Sequence, residues 1–330
     1  MCQSIPKSIS VTAESIPKDK PLRIQPYQQF AVSPQAGRLN LNTAVPNLDN
    51  RWRQLGGRGV KIAVLDTGID LGHPALLANI RDYANFANGT VNSDVSDQEG
   101  HGTMVAGVIA AQSFKRSIVG IAPEAGLYIG KVTHQNSGGN SDSLRAGIEW
   151  ARQKGVHIIN ISLGADAPLE AVHQEIKAAR NDGIFVICAA GNDGTSEGLD
   201  FPARYDECIS VGAVTRNRNR WEISTGVGSS VGHELDIVAV GHLVRSTFPR
   251  NLDSSGESVR SGTSLAAPFV TGVLALALAK HRILGGQTEI INLRNVLGHL
   301  LRTAIDLGPV GPDPEFGFGL IDPERFLAEA

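Results

Sequence analysis

The stretch GRGVKIAVLDTGID, Gly57 to Asp70, is where the chain changes character. Upstream, residues 1–45 are rich in Pro, Gln, Ser and Asn and show little periodicity, so they read as an N-terminal extension rather than a domain. Within the stretch, Val60 to Leu65 forms a short apolar run behind two glycines, suited to a central strand of a parallel sheet. Asp66 follows at once, a carboxylate set directly on the end of that strand. Alone it is a poor stabiliser, because a buried carboxylate needs a partner. It reads equally well as a turn or N-cap aspartate.

Working outward, strand and helix patterns alternate. HGTMVAGVIAAQ predicts a helix, GLYIGKV a strand, SDSLRAGIEWARQKG an amphipathic helix and VHIINISLG a strand. PLEAVHQEIKAARNDG predicts a helix closed by Gly183, followed by strands at IFVICAAGN, CISVGAV and LDIVAVG. Two further helices are predicted after Ser264 and at EIINLRNVLGHLLRTAI. Strands recurring between helical segments of 10 to 15 residues imply βαβ units, an α/β class and a mostly parallel sheet. The expected organisation is the extension over 1–45 and one domain over 46–330. Ligands of open parallel sheets bind at the carboxyl ends of the strands. Polar residues at those ends therefore carry the functional information: Asp66, Ser162 and Asn192.

Composition excludes several classes. With 330 residues, 42% of them hydrophobic, the chain can bury a sizeable core. A formal charge of −3 offers no case for nucleic-acid binding. The opening residues MCQSIPKSISVTAESIPKDKP contain no basic segment followed by an apolar one. The apolar run Ala266–Ala279 is interrupted by Pro268, Thr271 and Gly272 and is too short to span a membrane. The expectation is a soluble, cytoplasmic protein with no membrane or nucleic-acid partner. Cys2, Cys188 and Cys208 form no framework, and the latter two read as buried thiols. There is no His-Glu-x-x-His, no Cys-x-x-Cys and no Walker A motif, and GVGSSVG misses the dinucleotide spacing.

Four signals remain. GHGTMVAG sets His101 between glycines at a helix start, where a structural turn histidine is the plain alternative. SGTSLAAP sets Ser264 at the mouth of a helix, as a nucleophile or as an ordinary N-cap. CAAGND places Asn192 after a strand, as an oxyanion donor or in a left-handed turn. With Asp66 they supply an orienting acid, a base, a nucleophile and an oxyanion donor. Chain order separates the families that use this set. The α/β-hydrolases need Ser first and a Gly-x-Ser-x-Gly elbow, and here Gly262-Thr263-Ser264-Leu265-Ala266 ends in Ala. The order Asp66, His101, Ser264 is that of subtilisin.

On these motifs, from about Gly56 onward, the sequence resembles the subtilisin-like serine proteases, with a layout like that of the intracellular subtilisins. The resemblance implies a three-layer α/β fold and a serine endopeptidase. Ser264 is the implied nucleophile, His101 the general base and acid, and Asp66 the orienter. Asn192 and the Ser264 N–H are the implied oxyanion hole. A peptide substrate would bind as an extended strand between Ser137-Gly138-Gly139 and Ser162-Leu163-Gly164. By similarity Asp193 and Asp200 lie at the rim and floor of the P1 pocket, selecting Arg or Lys, or are solvated loop acids. No cofactor is required for catalysis. Met104, Leu265 and Phe269 depart from the usual His, Met and His. Lys115 and Arg116 stand where a common calcium loop needs oxygen ligands, so that site is expected to be lost, although calcium elsewhere stays open. RIQPYQQF resembles the Leu-Ile-Pro-Tyr motif of a short prosegment, which would make Pro26 and Tyr27 an inhibitory segment or part of a plain tail. Within the protease reading, broad turnover and maturation of one dedicated peptide both fit. An inactive peptide-binding homologue is the remaining alternative.

Overall fold

The computed structural model describes residues 21–22, 28–30, 54–87, 89, 91–114, 118–134, 138–194, 198–224, 226–283 and 293–329. Two short strands come from the extension: β1 (Pro21–Leu22) and β2 (Gln28–Phe30). Next are β3 (Lys61–Asp66), β4 (Ile80–Asn85), helix α1 (His101–Ala110), β5 (Gly126–Lys131), β6 (Thr133–His134) and β7 (Gly138–Asn140). They lead to α2 (Ser141–Gln153), β8 (Ile158–Ile161), α3 (Glu170–Asn181), β9 (Phe185–Ala189) and β10 (Ile209–Val214). Strands β11 (Glu222–Ser224), β12 (Val227–Gly228), β13 (Ile237–Val240), β14 (Val244–Thr247) and β15 (Glu257–Ser261) precede three helices. These are α4 (Thr263–Ile283), α5 (Leu293–Thr303) and α6 (Pro323–Glu329).

Seven strands form one sheet in the order β13-β10-β9-β8-β3-β5-β4, and every neighbouring pair is parallel. Side chains of a strand alternate between faces, and here both faces are covered. Ile62 and Val64 of β3 enter one core with α1, α4, α5 and α6. Ala63 and Leu65 enter the other, with α2 and α3. The same alternation runs through β9, where Phe185 and Ile187 face one core and Val186 and Cys188 the other. A strand apolar at successive positions is what this double burial requires. The expected three-layer α/β fold is therefore the one observed.

Elements missing from the sequence reading lie where polar residues dominate. β4, IRDYAN, is an edge strand with an exposed side, and so has no apolar run. β15, ESVRS, is buried throughout although four of its five residues are polar, a composition that argues against a core strand. It is paired on both sides, with β14 and β2. The α4 helix is long and apolar enough to cross a membrane by length and composition, but 89% of its apolar window is buried, as in a core helix. Cys188 and Cys208 are free, buried thiols, and burial together with the neighbouring Cys188 pushes the Cys208 thiol upward.

Candidate active site

The ends of β3, β8 and β9 converge with the starts of α1 and α4. Asp66, last residue of β3, is fully buried; its Oδ1 accepts from the Thr67 N–H at 2.8 Å and from His101 Nδ1 at 2.7 Å. An ionised carboxylate only accepts, so Nδ1 carries the proton and Nε2 of the neutral ring is the basic nitrogen. Burial pulls the His101 pKa down, yet the charge and hydrogen bond of Asp66 outweigh it, Asp97 adds to them and Arg260 opposes. The net shift is upward. His101 opens α1 because the chain turns sharply before it. Gly100 has φ 84°, and a Cβ there would come within 2.0 Å of the Phe248 ring, so only glycine fits.

Ser264 is the second residue of α4, whose body packs against α1. Its hydroxyl donates to the Ser162 carbonyl at 3.2 Å, a long contact, while Ser162 Oγ donates back to the Ser264 carbonyl at 3.0 Å. Ser162 is in turn held by Asn160 Nδ2 at 3.0 Å, and Asn160 Oδ1 accepts from Thr271 of α4 at 2.9 Å. The start of α4 is thus laced to the end of β8. Asn192, beyond the end of β9, accepts at Oδ1 from the Thr263 N–H at 3.0 Å and from the Thr263 hydroxyl at 2.9 Å. Those two donors fix which way the amide points. Nδ2 then faces Gly262, where an added Cβ would lie 3.2 Å from it.

Asp66 at the end of β3 and His101 at the start of α1 form a buried pair, and with Ser264 at the start of α4 they follow one another in the chain order of subtilisin. The sequence profile of the Subtilase family matches residues 57–319. The chain belongs to the subtilase family. Subtilisin Savinase of Lederbergia lenta is 39% identical over 272 residues, 82% of this chain and 92% of its own. M-protease of Shouchella clausii (strain KSM-K16) is 40% identical over the same length, and this chain spans 65% of it. The intracellular serine protease of Paenibacillus polymyxa is 38% identical over 264 residues, 78% of each chain.

In this subtilase the two expected substrate segments fall at the same end of the sheet. Gly138 and Gly139 lie in β7, while Ser162, Leu163 and Gly164 leave β8 as buried chain. Ser137 lies outside the described residues, as do Pro26, Tyr27, Lys115 and Arg116. Asp193 and Asp200 come together, and Asp166 joins them. Ligand oxygens of all three lie within 4.8 Å of one another. Asp200 is buried and its Oδ1 lies 2.9 Å from where a Gly191 Cβ would be, beside Asn192. Met104, Leu265 and Phe269 are all core residues.

Several contributors gave no signal by composition. Thr263 orients Asn192 and is visible only as a member of SGTS. Asp166 is far from Asp193 in sequence. Glu99, two residues before His101, is half-buried. Burial raises its carboxyl to about 7, His101 opposes, and Asp66 adds to the rise. Lys131, opposite Asp66 on β5, is buried and its pKa is lowered chiefly by that burial.

Proposed function

We propose that this subtilase is a serine endopeptidase acting through an acyl-enzyme on Ser264. The observation that carries the reading is the 2.7 Å contact between buried His101 Nδ1 and Asp66, which leaves Nε2 as the base. His101 takes the Ser264 proton as Oγ attacks the scissile carbonyl, then returns it to the leaving amine. Asp66 holds the tautomer and stabilises the imidazolium. The Asn192 amide and the Ser264 N–H stabilise the oxyanion. Removing a comparable donor costs about 10²–10³ in kcat, the worked value for subtilisin's own asparagine. Every proton in this scheme passes through chain residues, so no cofactor enters it.

The substrate is a protein or peptide held as an extended strand along Gly138–Gly139 and Ser162–Gly164, with Arg or Lys at P1. The grouping of Asp166, Asp193 and Asp200 within 4.8 Å supports the basic preference, because several carboxylates at one place favour a cation.

The extension acts as a lock. β1 pairs antiparallel with β7, setting Leu22 opposite Gly139 on the edge a substrate strand would use. β2 pairs antiparallel with β15, setting Gln28 opposite Ser261, three residues before Ser264. The intracellular relative supports a protease that works in the cytoplasm, and the pairing of the extension with β7 and β15 supports a zymogen.

The test is intact-mass analysis after a fluorophosphonate probe, on the full chain, on Ser264→Ala and on a chain lacking residues 1–40. One adduct, absent from Ser264→Ala and faster in the shortened chain, is expected. No adduct on either serine-containing form would remove the protease reading, and equal rates would remove the lock.

A further inference from the structure

One carboxylate ties the two partners of the Asp66–His101 contact to each other. Asp97 lies on the loop before α1 and is 2% exposed. Its Oδ1 accepts from Thr67 Oγ1 at 2.8 Å, from the Gly100 N–H at 2.8 Å and from the Glu99 N–H at 3.1 Å. Its Oδ2 accepts from the Thr103 N–H at 2.9 Å and the Thr103 hydroxyl at 2.6 Å. Five donors thus satisfy a charge that would otherwise be costly to bury.

The donors come from two places that the reaction needs in register. Thr67 is the neighbour of Asp66, and its hydroxyl also accepts from the Gly102 N–H at 2.9 Å. Gly100, Gly102 and Thr103 surround His101 on the first turn of α1. The loop itself is pinned from below, because buried Lys131 donates to the Ser96 carbonyl at 2.6 Å. A side chain that only capped α1 would have no reason to hold the turn after β3.

We propose that Asp97 is a positioning residue for the proteolytic reaction, setting the His101 ring against Asp66 by bridging Thr67 to the first turn of α1. The proposal rests on the protease reading above. The charged groups facing His101 are Asp66, Asp97, Glu99 and Arg260. Asp97 favours the imidazolium, so neutralising it moves the His101 titration to lower pH.

The experiment uses the full chain with Asp97→Asn and Asp97→Ala. The downfield proton resonance between His101 Nδ1 and Asp66 is followed by NMR against pH, beside thermal melting and the rate of probe labelling at Ser264. Asparagine keeps the size but turns an NH₂ toward Thr103. The expected result is a lower His101 midpoint, a weakened resonance and labelling slowed about 10²-fold, the scale of a 1 Å misplacement. A folded Asp97→Asn chain with the parent midpoint and resonance overturns the proposal. Should Asp97→Asn fail to fold, Thr67→Val removes the bridging hydroxyl and keeps the charge. It is expected to weaken the resonance, and an unchanged resonance and labelling rate overturn the proposal. The resonance reads the bridge even where the extension blocks labelling. Failure of the parent chain and of the form without residues 1–40 to label therefore counts against the protease reading, separately from the bridge.

Discussion

Gly102 is the position where one methyl group is expected to separate activity from folding. It follows His101 in α1, and a Cβ built on it would lie 2.2 Å from the Gly68 carbonyl oxygen and 3.2 Å from Asp66 Cβ. Real Cβ contacts are essentially never shorter than 3.0 Å, so Gly102→Ala demands that about 0.8 Å be found. The obstructing atom is backbone and cannot rotate away. Either the turn after Asp66 retreats or the start of α1 does, and both movements open the 2.7 Å Asp66–His101 contact. A misplacement near 1 Å costs about 10²-fold in rate. Overpacking a buried site costs about 1–3 kcal/mol, a fall of a few degrees in Tm for a chain this long. The assay is kcat and KM on a short peptide with Arg at P1, measured on the chain lacking residues 1–40 with and without Gly102→Ala, together with a thermal melt. The expected outcome is a loss of about two orders of magnitude, carried by kcat, in a chain that still melts cooperatively. Hydrolysis within twofold of the parent, in a folded variant, would refute the steric argument and the role given to the Asp66–His101 geometry.

Three other outcomes follow from the same structure. Glu99 holds its proton up to about pH 7 in the folded chain, whereas its ordinary value is 4.5. Stability therefore falls as pH rises through that window, and Glu99→Gln should stabilise the chain at pH 8 by about 1 kcal/mol after discounting for its exposure, with no gain at pH 4. Equal melting of the two proteins at pH 8 would count against it. Gly298 lies inside α5, where an added Cβ meets only the Arg302 side chain at 3.7 Å. Gly298→Ala should raise stability by about 0.5–1 kcal/mol without altering hydrolysis, read by chemical denaturation. Asp200→Asn should lower kcat/KM for Arg at P1 about tenfold or more relative to Leu at P1, the discrimination expected for a charged pair. An unchanged ratio would assign Asp166, Asp193 and Asp200 to solvation instead.

The order of strands and helices was legible because double burial makes parallel strands apolar at successive positions. The runs at β3, β8 and β9 stand out for that reason, and the polar residues that end them stand out by contrast. Asp66, His101, Asn192 and Ser264 could be singled out from such local patterns, and their order along the chain named the family. Other features left no local trace. β15 is a polar sequence that becomes a buried strand only because β14 and β2 lie on either side of it. Asp97 looks like any loop aspartate until Thr67, Gly100 and Thr103 are brought around it. Asp166 acquires neighbours only when the segments following β8 and β9 meet. The sequence by itself determined which groups exist, which face each strand residue takes and in what order the chemistry is strung, since these depend on neighbours one to four residues away. Which carboxylates share a site, and where the extension docks, was decided by the tertiary structure, because hydrogen bonds and charges act through distances that only folding sets.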